Sequence, residues 1–119
     1  RKYMLRVHIV LVTKYRKQLL VSGIADSVKQ LICGIASIIA IETDKEHIHF
    51  LLEYDTTACV SDIVKQIKQG TTYQLWRKYS AELSRQYWKK KVFWSDGYFA
   101  CSIGEVSSET IQKYIESQG

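Results

Sequence analysis

An α+β fold, with an antiparallel sheet and helices packed on one of its faces, is what this 119-residue sequence predicts. Three observations support it: strand-like alternation at the start, two amphipathic segments with helical spacing, and β-branched or aromatic runs between and after them. The chain is 46% hydrophobic, which suffices for one globular core. We therefore expect a single domain over residues 1–119, with its core at about 3–103.

The first half of the chain predicts a strand, a helix and a hairpin. Apolar residues alternate over residues 3–13, which is typical of a strand with at least one buried face. Ser22 is expected to cap a helix whose apolar residues then follow the 3.6-residue period. A β-branched stretch at 38–43, a charged turn at 44–46 and a further strand at 47–54 predict a hairpin.

The following segment predicts a second helix and a return to strand. Apolar residues at helical spacing over 60–67 indicate an amphipathic helix, which we expect Gly70 to interrupt before helix resumes through residue 83. Residues 91–103 are of strand type, and the Asp96-Gly97 pair within them favours a turn or bulge. The residues leave open whether this is one bent strand or two.

A last helix over about 107–118 completes the prediction. Ser107 can cap it, and Val106 and Ile111 have the spacing of a hydrophobic staple. The order is strand, helix, strand, strand, helix, strand, followed by this appended helix. That order is typical of ferredoxin-like and RRM-like folds.

Charge and composition restrict the classes of function. Formal net charge is +5, but residues 1–17 and 61–91 each carry +6, whereas residues 42–55 carry −4. Basic segments flanking an acidic one favour a polyanionic partner beside a cation site. With three dispersed cysteines, no membrane-spanning run and no signal peptide pattern, we expect a cytoplasmic protein without a disulfide framework or cysteine zinc site.

The tripeptide His47-Ile48-His49 is the strongest candidate for a metal site. Residues two apart in a strand point to the same face, about 6.6 Å apart along the chain, so both imidazoles can converge on one ion. Asp44 lies in the preceding turn and could add an oxygen ligand or orient a histidine. Surface or half-buried histidines without a metal are the alternative, and His8, among apolar residues, is interpreted as structural.

The last helix presents Tyr114 and Gln118 four residues apart, hence on one face. A phenol with a pKa near 10 is a poor nucleophile at neutral pH, so a catalytic tyrosine needs a metal or a base near its oxygen. The alternative is a tyrosine at the edge of the core with its hydroxyl in water. Periodicity alone does not choose among the eight tyrosines.

Four motifs taken together resemble one family, the single-tyrosine HUH transposases of the insertion-sequence-200-like group (transposase 17 domain). The resemblance covers nearly the whole chain and keeps the family's order. It rests on residues 8–16 (HIVLVTKYR), 44–52 (DKEHIHFLL), 93–99 (FWSDGYF) and 111–118 (IQKYIESQ).

The resemblance implies an activity and a set of site residues. His47 and His49 would form the HUH pair, Tyr114 would be the nucleophile on the C-terminal helix, and Gln118 would complete the metal site, with Asp44 as a further candidate ligand. The implied reaction is cleavage and strand transfer of single-stranded DNA through a 5′-phosphotyrosine, which excises and inserts a mobile element. One divalent ion, Mg²⁺ or Mn²⁺, would assist it.

Partners follow from the same resemblance. One partner is single-stranded DNA with hairpins at transposon ends. The other is a second copy of the chain, in a homodimer that shares active sites and uses Gly104 as a hinge. The expected location is the cytoplasm of a prokaryote, at the nucleoid. Basic residues interleaved with aromatic ones suit such DNA. The candidate DNA-binding residues are Lys14, Arg16, Lys17, Lys65, Lys68, Arg77, Lys78, Lys89 and Lys90.

Two alternative functions share this fold or this chemistry. One is a hairpin-binding module of the same fold that no longer cleaves. The other is a related HUH nickase for replication or plasmid transfer, against which the short chain and its single late tyrosine argue. Intact His47, His49, Tyr114 and Gln118 favour the transposase over the binding module.

Overall fold

The computed structural model describes residues 3–102 and 107–118. Its elements are β1 (Met4–Val12), α1 (Ser22–Ile35), β2 (Ile38–Thr43), β3 (His47–Asp55), α2 (Val60–Lys78), α3 (Ser80–Gln86), β4 (Phe99–Cys101) and α4 (Ser108–Ser117). The four antiparallel strands form one sheet in the order β2-β3-β1-β4, which agrees with the ferredoxin-like fold that the sequence predicts.

The strand register divides the side chains of β1 and β3 between two faces. Ile9 pairs with Phe50, and both belong to the main core, which α1 and α2 cover. Val10 pairs with His49 and Val12 with His47, so these four residues share the opposite face. The alternation in the sequence thus sets the histidine pair on the face away from the main core.

The start of α1 differs from the prediction. Ser22 is the first residue of the helix, with φ of 48°, and Val21 occupies the cap position without any side-chain cap. The reason is that the Val21 carbonyl accepts from the Ala25 N–H at 3.3 Å, so helical hydrogen bonding begins one residue before the serine. The expectation that Ser22 caps this helix was wrong.

Helix α2 runs through Gly70 without a break, contrary to the expected interruption. A Cβ on Gly70 would lie 3.0 Å from the Cδ1 of Ile35, so the glycine permits close approach of α1 and α2. Packing between the two helices offsets the low helix propensity of glycine, which costs about 1 kcal/mol. Here tertiary contact decides the length of the helix.

The segment after α3 forms two short pieces of sheet. Trp94 makes an isolated antiparallel bridge to Thr13, and the three-residue strand β4 follows after a turn. Gly97 within that turn has φ of 77°, a left-handed conformation that suits glycine. Gly104 and Val106, hence the proposed hinge and staple, lie outside the described residues.

Helix α4 packs on the sheet face opposite α1 and α2. Ile115 is buried against Val10 and Val12, with Ile111 and Tyr114 partly buried beside it. Ser107 caps the helix as predicted, because its Oγ accepts from the Thr110 N–H at 3.1 Å. The appended helix therefore covers part of the face that carries the histidine pair.

None of the helices within the described ranges is long and apolar enough to cross a membrane. Cys33 and Cys59 are exposed free thiols.

Candidate active site

Strand β3 positions the two histidines of the pair. Ile48, between them, has no exposed surface and points into the main core. His47 and His49 therefore project together to the other face, and both are partly buried. The predicted convergence of both rings on one face is what the alternation of the strand produces.

His49 forms a close contact with a histidine from β1. Its Nε2 lies 3.1 Å from the Nδ1 of His8, a hydrogen bond in which one ring donates. Because His8 pairs with Leu51 and not with His49, the two rings meet as diagonal neighbours on one face. This contact engages the Nε2 of His49, so its Nδ1 is the ring nitrogen that remains for another partner. The contact also restricts rotation of the His49 ring.

The pKa of the His49 imidazole is lowered from its ordinary value of 6.5. Burial is the main cause, and the neighbouring imidazoles of His8 and His47 add to it, while Glu42, opposite His49 on β2, acts in the other direction. His49 is therefore neutral at pH 7. A neutral imidazole is the form that can ligate a cation.

The hairpin between β2 and β3 brings a cluster of oxygen and nitrogen donors together. One ligand atom from each of Asp44, Glu46 and His47 lies within 4.8 Å of the others. The loop is held by the Asp44 N–H donating to the His47 carbonyl at 2.9 Å and by the Thr13 N–H donating to the Glu46 carbonyl at 2.9 Å. These bonds fix the loop that carries the two carboxylates against the end of β1.

His47 supplies an independent indication that this cluster suits a cation. Its Nδ1 is buried, has no hydrogen-bond partner among the described residues, and lies 3.7 Å from the Oε1 of Glu46. A buried polar atom without a partner is costly unless a ligand occupies it. Carboxylate oxygens with an imidazole nitrogen form a donor set that Mg²⁺ and Mn²⁺ accept.

Sequence reasoning selected Asp44 but missed Glu46 and the partner role of His8. Glu46 stands two residues after Asp44 in the same acidic hairpin, so the local charge was a signal for it. His8 is 41 positions from His49, and only the strand register brings them into contact. The cluster within 4.8 Å does not include His49.

Tyr114 lies on the same side of the sheet as the histidine pair. Its ring contacts Phe99 at 5.7 Å between centroids, and its helix neighbour Ile115 contacts Val10 and Val12, the residues opposite the two histidines. Burial raises the pKa of the Tyr114 phenol above its ordinary value of 10.0. The hydroxyl therefore stays protonated at neutral pH.

Gln118 directs the amino group of its side chain toward its own helix. Its Nε2 donates to the Oγ of Ser117 at 2.9 Å and, more weakly, to the carbonyl of Tyr114 at 3.4 Å. The donor end of the amide is thus engaged, and the amide oxygen is the atom that could serve a cation.

Several of the basic residues selected from the sequence lie against aromatic rings. Arg77 stands over the exposed ring of Tyr73 at 5.6 Å, and Lys89 stands over Trp88 at 4.8 Å. Tyr73 and Trp88 are 61% and 75% exposed, whereas Trp76 and Tyr87 are buried. Exposed rings beside cations suit unpaired bases and phosphates.

The remaining basic candidates differ in how far they are engaged. Lys68 donates to the carbonyls of Ser95 and Gly97 at 2.8 and 2.9 Å, so its ammonium holds the turn after Trp94. Lys14 lies 3.7 Å from Asp96, and Lys78 donates to Ser27 at 3.4 Å. The others are partly or fully exposed: Arg16, Lys17, Lys65 and Lys90.

Comparison with known proteins assigns this chain to a family. The family described as "Transposase IS200 like" matches residues 1–118. The chain is similar to the ISDra2 transposase TnpA of Deinococcus radiodurans, with 31% identity over 98% of this chain and 85% of that protein. It is also similar to the transposase for insertion sequence element IS200 of Salmonella typhimurium, with 27% identity over 95% of this chain and 76% of that protein.

Solved protein structures share the fold of this chain. A protein of Deinococcus radiodurans R1 assigned as a transposase superimposes with a TM-score of 0.87 and 28% identity, covering 98% of this chain and 92% of that one. A REP-associated tyrosine transposase bound to a REP hairpin shares the fold, with a TM-score of 0.58 and 15% identity over 98% of this chain and 67% of that one.

The protein therefore has a transposase fold. It consists of a ferredoxin-like sheet with a histidine pair on one face and a tyrosine-bearing helix docked beside that pair. The chain belongs to the IS200-like transposase family.

Proposed function

We propose that this transposase cleaves and rejoins single-stranded DNA by transesterification, with Tyr114 as the nucleophile, and so excises and inserts a mobile element. The observation that carries the proposal is the docking of α4 through Ile115 on Val10 and Val12, which pair with His49 and His47. The nucleophile and the candidate cation ligands thereby share one face of the sheet.

In the proposed step, the Tyr114 oxygen forms a bond to a backbone phosphorus while the bond from that phosphorus to the 3′ oxygen breaks. The products are a 5′-phosphotyrosine and a free 3′-hydroxyl, which can later attack another such linkage. The phenol must lose its proton on the way, and burial raises the pKa of Tyr114, so activation within the site is required.

A divalent cation fits the residues around the hairpin. Asp44, Glu46 and His47 offer clustered donors, and the buried Nδ1 of His47 has no partner among the described residues. We assign His47 and His49 as principal ligands, with Gln118 and the carboxylates of Asp44 and Glu46 as further ones. Bound Mg²⁺ or Mn²⁺ would polarise a non-bridging phosphate oxygen and offset developing negative charge.

The proposed substrate is single-stranded DNA that carries hairpins at the ends of the element. The REP-associated relative of the same fold is bound to a hairpin, and the basic residues beside Tyr73 and Trp88 suit a DNA strand. A homodimer with shared active sites belongs to the same proposal: α4 of one copy would dock on the sheet of the other through the same apolar contacts.

The test is formation of a covalent protein–DNA adduct. The protein is mixed with labelled single-stranded hairpin DNA from the flanks of its own gene, with Mg²⁺ or Mn²⁺ or with chelator, and run on a denaturing gel. A metal-dependent shifted band is expected for the wild type and for Tyr54→Phe, a control that removes a hydroxyl from the far end of β3. Tyr114→Phe should form no adduct.

Two results would contradict the proposal. An adduct that persists in Tyr114→Phe would show that another group attacks the phosphate. Tight hairpin binding by the wild type without any adduct would instead support the non-cleaving binding module.

A further inference from the structure

A cavity of about 680 Å³ lies between α2 and the segment that precedes β4. Its walls include Trp76, Phe93 and Trp94, which belong to the main core on the helix-covered face of the sheet. The histidine pair and Tyr114 are associated with the opposite face. This aromatic cavity, defined by Trp76, Phe93, Trp94 and their neighbours on α2, is therefore separate from the candidate active site.

The walls of the aromatic cavity are held in place by hydrogen bonds. The indole N–H of Trp76 donates to the Val92 carbonyl at 2.9 Å, and that of Trp94 donates to the Thr71 hydroxyl at 2.8 Å. Phe93 contacts Trp94 edge to face, at 4.7 Å between centroids. Because both indoles are buried and fixed, they hold the wall of the cavity in place before any ligand arrives.

The rim of the cavity carries more positive than negative charge. Arg77 and Lys91 are exposed there, and Asp96 is the acidic group among the lining residues. Arg77 lies over one face of the Tyr73 ring, and the tyrosine is 61% exposed, so the cation and the exposed ring are in contact. A base stacked on such a ring would bring its phosphate within reach of the cation.

We propose that the aromatic cavity binds one unpaired nucleotide of single-stranded DNA, with its base against the exposed ring of Tyr73 and its phosphate on Arg77 and Lys91. The inference rests on the proposed DNA substrate and is independent of cleavage. Charge complementarity and an exposed ring next to a cation favour a nucleotide over an apolar peptide.

The test is equilibrium binding of a fluorescent oligothymidylate by anisotropy, with chelator present so that metal-dependent cleavage does not intervene. Tyr73→Ala should weaken binding about 5- to 100-fold, the range for loss of one stacked base. Arg77→Gln should weaken binding and reduce the slope of log affinity against log salt by about 1. Tyr3→Ala and Arg85→Gln remove an exposed ring and an exposed cation elsewhere and should bind as the wild type does.

The outcomes separate this proposal from the proposed function. If Tyr73→Ala binds like the wild type, or if Trp88→Ala alone loses affinity, the nucleotide does not occupy the aromatic cavity. Failure of the wild type to bind the oligonucleotide overturns the proposal as well. Loss of binding in Tyr73→Ala would support the cavity even if no Tyr114 adduct forms in the separate cleavage test.

Discussion

Replacing Ile115 with alanine should release helix α4, and with it Tyr114, from the sheet. Ile115 is 1% exposed and packs on Val10 and Val12. Replacing a buried isoleucine with alanine costs about 2 to 5 kcal/mol, and a cost of about 2.7 kcal/mol corresponds to a roughly 100-fold larger undocked population. A helix of ten residues is marginal by itself, so undocked α4 should also unwind.

Native-state hydrogen exchange measures this directly. The amides of α4 should exchange about 100-fold faster in Ile115→Ala, while those of β1 and β3 keep their protection. Ile32→Ala is the matched control, because Ile32 is equally buried but lies on α1 in the main core. That variant should raise exchange across the whole sheet through global unfolding.

The rate of adduct formation should fall with the docked fraction of α4 in Ile115→Ala and stay near that of the wild type in folded Ile32→Ala. Unchanged exchange of α4 amides in Ile115→Ala would refute the view that this contact docks the helix. Equal acceleration of all protected amides would show that α4 does not open separately from the sheet.

Three further predictions concern the candidate site and the aromatic cavity. His8→Ala should lower Mn²⁺ affinity about 10- to 100-fold in calorimetry, because His49 loses the partner that orients it. Folding stability in urea should fall between about pH 7 and pH 5, because the lowered pKa of His49 makes the unfolded chain bind more protons there, and His49→Gln should reduce that dependence. Thr71→Val should cost about 1 to 3 kcal/mol of unfolding free energy by leaving the Trp94 N–H unpaired, whereas Thr71→Ser retains the bond.

Each of these has a contrary outcome. Unchanged Mn²⁺ affinity in His8→Ala would remove any positioning role for that ring. An identical pH dependence in His49→Gln would assign the loss to other groups, and equal stability of the valine and serine variants at position 71 would show that the buried hydroxyl is not what holds Trp94.

Much of the fold could be predicted because its signals are local. Alternation over β1 and β3 assigns residues to faces, helical spacing marks α1, and Ser107 caps α4 through its own side chain. The ferredoxin-like order and the position of the histidine pair follow from such patterns. The expected cap at Ser22 failed because helical bonding begins at Val21, which local composition does not reveal.

The sequence by itself selected the candidate site residues, since the order of the four motifs and their resemblance to one family single out His47, His49 and Tyr114. Only the tertiary structure decided what those residues contact. Strand register brings His8 to His49, and the packing of α1 against Gly70 carries α2 past the expected break.

The aromatic cavity depends on tertiary structure for the same reason. Its walls come from α2 and from the segment before β4, and Lys68, chosen from the sequence as a DNA ligand, is engaged in holding the Ser95 and Gly97 carbonyls between them. Contacts between distant segments arise from backbone register and close packing, and neither is encoded in the periodicity of any one segment.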